Sequence, residues 1–192
     1  MASSVDGKVT LVTGATGGIG SQIVRRFAEN GASVIIGYNR SAHTADDLRS
    51  SLGGGKHLAA EAVVTDSDCL GRLASQIDAT FGRLDILVNC AGVTRFVPHP
   101  DLDSLDDALV DRIFAVNVRG VIASTRAMRH LLDRSRGALV VNISSIASVT
   151  AMGSNIAYCA SKAAVDNLTK SLARALAPKI RVVSVSPGLV DT

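Results

Sequence analysis

Thr13-Gly14-Ala15-Thr16-Gly17-Gly18-Ile19-Gly20 decides the fold. The apolar run Lys8 to Val12 enters it, and beyond it Ile23, Val24, Phe27 and Ala28 recur at helical spacing, so the order is strand, glycine-rich turn, helix. Glycine lets a backbone turn sharply and come close to a ligand, and the helix start then aims its N–H groups at a phosphate. The spacing is GxxxGxG rather than the GxGxxG of the common dinucleotide fingerprint. Gly31-Ala32 ends the helix and Ser33 to Tyr38 reads as a second strand, which makes a parallel crossover unit.

The same alternation continues outward. Ala45 to Leu52 is expected as a helix, Gly53-Gly54-Gly55 as a break, and Lys56 to Val64 as a third strand. Thr65-Asp66 caps a helix over Cys69 to Phe81, and Leu84 to Val88 is a fourth strand delivering Asn89-Cys90-Ala91-Gly92 to the sheet's carboxyl edge. Residues 93 to 104, with Pro98, His99 and Pro100, read as a loop. Apolar residues at 105, 109, 113, 116, 121 and 128, with Thr125 at the same spacing, trace one long helix to Leu132, with Asn117 inside the apolar run. Gly137 to Ile143 is a fifth strand, Ile156 to Ala177 a helix and Ile180 to Val185 a sixth strand, followed by the loop Pro187 to Thr192. Strand and helix alternate without a linker, so the expected fold is α/β, a single domain over residues 1–192 with a doubly wound parallel sheet in a Rossmann-like three-layer sandwich.

Composition agrees. Of the 192 residues 47% are apolar but only 3% aromatic, so the core is Ala, Val, Leu and Ile, as buried parallel strands under helices require. Twenty basic and 17 acidic residues leave a net charge of +3 with the signs interspersed, which argues against a nucleic-acid surface. Cys69, Cys90 and Cys159 have no metal-ligand spacing, so no metal is expected and reduced thiols in the cytoplasm are. The start lacks the apolar core of a signal peptide, and no run is long enough to span a membrane.

The chemistry is carried by Tyr158-Cys159-Ala160-Ser161-Lys162. Positions four apart share a helix face about 6 Å apart along the axis, so the Tyr158 hydroxyl and the Lys162 ammonium can reach one pocket. A phenol titrates near ~10, and a cation ~4 Å away at an effective dielectric of ~20 offers up to ~4 kcal/mol, about three pK units, toward the phenolate. Gly153-Ser154-Asn155 reads as the helix start, whose positive end acts in the same direction. Ser145, at the end of the fifth strand, can donate to a substrate oxygen. Alone, such a spacing marks only a solvated helix face. At the tip of the second strand Arg40 is present and no carboxylate is, which suits the 2′-phosphate of NADP rather than the 2′-hydroxyl of NAD; an exposed surface arginine is the bland alternative.

Thr13-Gly14-x-x-x-Gly18-x-Gly20, Asn89-x-Ala91-Gly92, Asn117, Ser145, Tyr158-x-x-x-Lys162 and Pro187-Gly188 stand in the order and rough spacing of the short-chain dehydrogenase/reductase family, which the whole chain resembles. The resemblance implies a carbonyl or secondary-alcohol oxidoreductase, similar to the carbonyl reductases that include 3-oxoacyl-carrier-protein reductases. It implies a catalytic tetrad of Asn117, Ser145, Tyr158 and Lys162: Tyr158 passes the proton, Ser145 holds the substrate oxygen, Lys162 binds the nicotinamide ribose, and Asn117 anchors a water. The implied cofactor contacts are Gly14, Thr16, Gly17, Gly18, Ile19, Gly20, Asn39, Arg40, Ser41, Val64, Asn89, Cys90, Ala91, Gly92, Tyr158, Lys162, Pro187, Gly188, Val190 and Thr192. The expected cofactor is NADP(H), with NAD(H) possible. The expected partners are a small carbonyl or alcohol substrate and a second copy, in a homodimer or homotetramer built on the long helices.

There are departures from the family pattern. Cys90 stands where the family usually has a second asparagine, and Val63 where it carries an Asp or Asn for the adenine amine, so weaker adenine recognition is expected. Gly17 occupies the site where NADP-preferring members often place a basic residue, so the NADP expectation rests on Arg40 with Asn39 and Ser41. Family members continue past the Pro-Gly loop with a substrate-covering segment and a seventh strand; the natural chain is therefore expected to be longer, with that strand missing here. A cofactor-binding sensor or scaffold without turnover is the alternative function.

Overall fold

β1 (Val9–Thr13) is buried along its whole length, as a strand must be when it lies mid-sheet with helices on both faces. The computed structural model describes residues 4–191. Around β1 stand β2 (Ser33–Tyr38), β3 (Leu58–Glu61), β4 (Ile86–Asn89), β5 (Ala138–Ile143) and β6 (Ile180–Val185), all parallel, in the order β3-β2-β1-β4-β5-β6. The helices are α1 (Gly18–Glu29), α2 (Ala42–Ser50), α3 (Ser67–Phe81), α4 (Asp107–Phe114), α5 (Gly120–Leu132), α6 (Ala147–Thr150) and α7 (Ile156–Leu176).

The two-residue period of each strand divides the core. Leu11, Ile35, Leu87 and Val140 face one layer with Leu70, Leu73 and Ile77 of α3 and Met128 and Leu131 of α5. Val12, Ile36 and Val88 face the other, with Val24 and Ala28 of α1 and Ala45 and Leu48 of α2. Truncating one of these fully buried leucines to alanine costs about 2–5 kcal/mol.

The amino edge of the sheet is pinned by Asp85, which accepts from Val9 N at 2.8 Å, Arg83 Nε at 3.0 Å and Ser135 Oγ. Burial alone would raise its carboxyl, but these hydrogen bonds outweigh it and hold the group below the usual carboxylate range. At the carboxyl edge β1 and β4 are neighbours although the chain leaves β1 for β2, so the crevice between them is the place where parallel sheets bind ligands.

Three expectations change. The third strand is shorter than Lys56 to Val64, because it is an edge strand that pairs only along the four residues opposite Ile35 to Tyr38. The long helix is interrupted by a π-helical turn over Ala115–Arg119, which rotates Asn117 inward. Helix α6 lies in a stretch where none was expected. Among the described residues β6 pairs only with β5, and Val183 and Val185 on it are exposed. No helix among them is long and apolar enough to cross a membrane.

Candidate active site

The crevice opens as a cleft of about 690 Å³. Its floor is the turn between β1 and α1. Gly14 has φ +64°, and a Cβ there would stand 2.7 Å from Ala91 Cα; one on Gly20 would stand 2.3 Å from Gly14 O. Both glycines are therefore needed for close packing of the turn, the first against the loop after β4 and the second against the turn itself. Thr13 ties the two strand ends together, its Oγ1 accepting from Cys90 N and Ala91 N at 3.2 Å each. Gly17 is the N-cap of α1 and offers no side-chain acceptor, and the first turn holds no acidic residue. Its N–H groups are left for an external anion, so the turn fits a dinucleotide diphosphate.

The other wall is α7. Asn155 caps it, accepting from Tyr158 N at 2.7 Å and donating to Arg95 O at 2.7 Å, which fixes the first turn against the loop after β4. Tyr158 and Lys162 follow four residues apart, with the ammonium 5.6 Å from the ring centre. Lys162 is 6% exposed and donates to Ile143 O at 2.8 Å. Burial pulls its pKa below the usual lysine range, opposed by negative charge at Cys90 and Asp166. Burial also pushes the Cys90 thiol up to about 11 against the pull of Lys162, so at neutral pH Cys90 is uncharged and Asp166 is the operative neighbour. Ser145 lines the cleft beyond β5, its Oγ accepting from Ala147 N at 3.2 Å.

Asn117 holds these walls together from behind. Its Oδ1 accepts from Val93 N at 2.8 Å, and its Nδ2 donates to Val93 O and Ser161 Oγ, both at 3.1 Å. Ser161 Oγ in turn donates to Tyr158 O at 2.7 Å. The side chain expected to anchor a water thus spends both amide hydrogens and its oxygen on protein partners.

Gly14, Thr16, Gly17, Gly18, Ile19, Gly20, Asn39, Arg40, Ser41, Cys90, Ala91, Gly92, Ser145, Tyr158, Lys162, Pro187, Gly188 and Val190 all line this cleft. Asn117 does not; it sits one layer behind. Two expected cofactor residues also stand elsewhere. Asn89 is 4% exposed and donates to Asn142 Oδ1 at 2.9 Å, which passes the bond on to Thr169 Oγ1 at 2.9 Å; it ties β4 to β5 and α7. Val64 is buried where the missing side chain of Gly120 makes room, a Cβ there lying 2.8 Å from Val64 Cγ2. Thr192 lies outside the described residues. Thr13 and Ser161 were not foreseen in these roles, whereas Asn155 caps the helix whose start the sequence places at Gly153-Ser154-Asn155. Arg112 and Thr94 also line the cleft and carried no sequence signal.

A model of the short chain dehydrogenase family matches residues 8–192. The chain belongs to that family. It is an NAD(P)-dependent oxidoreductase, as its named relatives are dehydrogenases and reductases. Among members similar to it, the D-threitol dehydrogenase of Mycolicibacterium smegmatis is 38% identical over 191 residues, covering 98% of this chain and 72% of that protein. The 3-oxoacyl-(acyl-carrier-protein) reductase FabG of Thermotoga maritima is 35% identical, covering 98% of this chain and 76% of that one. The crystal structure of a 3-ketoacyl-(acyl-carrier-protein) reductase from Brucella melitensis, complexed with NADH, superposes with a TM-score of 0.89 at 33% identity, over 96% of this chain and 76% of that one.

Proposed function

We propose that the protein interconverts a ketone, with 3-oxoacyl groups as one candidate class, and a secondary alcohol, using NADP(H) in preference to NAD(H) and Tyr158 as general acid and base. One observation carries the reading: Tyr158, Lys162 and Ser145, from α7 and the turn after β5, line the same cleft into which the glycine-rich turn opens. A nicotinamide dinucleotide, when bound, supplies or accepts the hydride. The uncapped start of α1 would hold its diphosphate and Lys162 its nicotinamide ribose, while Arg40, Asn39 and Ser41 would hold the adenosine 2′-phosphate.

Ser145 Oγ, oriented by Ala147 N, donates to the substrate oxygen. Tyr158 gives that oxygen its phenolic proton in reduction and takes one from it in oxidation. Asn117 holds Val93 and, through Ser161, the helical turn bearing Tyr158, so that the two walls of the cleft keep their separation. The 3-oxoacyl class is supported by the relatives named for it, and D-threitol dehydrogenase keeps polyols open as the alcohol.

The protein is further proposed to act in the cytoplasm, consistent with three unbridged cysteines, and to pair through α4, α5 and α7, whose outer faces expose Phe114, Ile122 and Ile156. Light scattering at micromolar concentration checks the pairing, with a dimer or tetramer expected. For the activity, the test is consumption of NADPH and NADH over a panel of ketones and aldehydes. Turnover with NADPH favoured is the expected result; tight dinucleotide binding with no turnover on any substrate would favour a non-catalytic binder.

A further inference from the structure

Three arginines, on the loop after β4, the π-helical turn and α5, are engaged by the protein itself. Arg95 donates to Ser104 O at 2.8 Å and Asp106 Oδ2 at 3.2 Å, Arg119 to Thr65 O at 3.3 Å, and Arg126 to Ser67 Oγ at 3.3 Å. Arg112 of α4 differs. It is exposed, lines the cleft beside Val93 and Thr94, and has no hydrogen-bond or ion-pair partner among the described residues.

An arginine in the last turn of a helix usually answers the negative end of the macrodipole. That reason is weak here, because α4 runs on through Ala115–Arg119 into α5 and its final carbonyls are bonded onward, Arg112 O by Ala115 N among them. The cleft also contains Arg40 and Lys162, and among the described residues no carboxylate lines it. A cleft of one sign concentrates anions, and once Arg40 and Lys162 are assigned to the two riboses, Arg112 is the cation left over.

We infer that Arg112 takes an anionic oxygen of the ligand bound in this cleft. Its planar guanidinium meets a carboxylate or phosphate through two parallel N–H donors, which a neutral carbonyl compound cannot match. Two sources bring such an oxygen: the phosphates of the dinucleotide, or an acidic group on the substrate. The inference rests on the dinucleotide reading above.

The test compares wild type with Arg112→Gln and Arg112→Lys. Arg112 is exposed, so the three proteins are expected to melt together. In one arm, NADPH and NADH are titrated by nicotinamide fluorescence. In the other, acetoacetate and its neutral ethyl ester are titrated calorimetrically into the protein–NADP⁺ complex. A three- to tenfold loss of affinity for both dinucleotides in Arg112→Gln, about what one partly exposed charged hydrogen bond provides, with only partial recovery in Arg112→Lys, which keeps the charge but not the two-donor fork, assigns the oxygen to the nucleotide. A loss confined to acetoacetate, with the ester unaffected, assigns it to the substrate. Unchanged affinity in both arms overturns the inference while leaving the dinucleotide reading intact. A wild-type protein that binds neither dinucleotide removes that reading, and this inference with it.

Discussion

At the glycine-rich end of the cleft the walls are backbone and exposed side chains, among them Asn39, Arg40 and Ser41; at the tyrosine end Ser145 and Tyr158 are half-buried, Lys162 is buried, and a buried, mutually bonded set stands directly behind them. Lys162 is 6% exposed, and Asn117, Ser161 and Asn155 are at or below 1%. The contrast matters energetically. A group in water can be exchanged for a modest change in affinity, whereas removing one member of a buried hydrogen-bonded set leaves its partners desolvated and unpaired. The first end is suited to tune which dinucleotide binds, and the second to keep a reacting geometry fixed.

Substitutions sharpen this contrast. Tyr158→Phe should leave dinucleotide affinity as it is while turnover falls about 10²–10⁴-fold, since only the proton path is removed; stopped-flow turnover and a fluorescence titration measure the two separately. Lys162→Ala should reduce turnover comparably and also weaken the dinucleotide about tenfold, because a buried contact to the ribose is lost together with the hydrogen bond to Ile143 O. At the exposed end, Arg40→Asp should weaken NADPH about tenfold or more and improve NADH, with turnover at saturation unchanged; a wild type that binds NADH as tightly as NADPH breaks this prediction. The smallest effect is on Cys90. With its thiol pushed up to about 11, the reactive thiolate is scarce at pH 8, so iodoacetamide should label it far more slowly than a free cysteine, and labelling should climb through pH 9 to 11. Fast labelling at pH 8 would mean that Cys90 is not desolvated as the structure has it.

Much of this was legible in the sequence. The second strand falls where it was read, at Ser33–Tyr38, because Gly31-Ala32 and Asn39-Arg40-Ser41 bracket a continuous apolar run. Asp66 caps α3 through Asp68 N and Cys69 N, as its position before the helix suggested. Periodicity could not show the π-helical turn directly. The apolar positions of that region step by three and four up to Val116 and then by five to Val121, and that one long step is the trace of the inserted residue. Partner choice was hidden as well. Ser161 meets Asn117 across 44 positions, and Asn89 turns to Asn142 and Thr125 rather than to the cleft. An asparagine advertises that a polar group needs satisfying, but its type does not say by which strand or helix.

The central claim is that this cleft transfers a hydride to a carbonyl carbon, and the direct test follows the atom. The protein is incubated with NADPH carrying deuterium at both C4 positions and with the best ketone from the panel, and the product is weighed by mass spectrometry. The account predicts a secondary alcohol one mass unit heavier, with the label on the carbinol carbon, and none of it from Tyr158→Phe on the same timescale. Unlabelled alcohol, or labelled alcohol formed at the full rate by Tyr158→Phe, would contradict it.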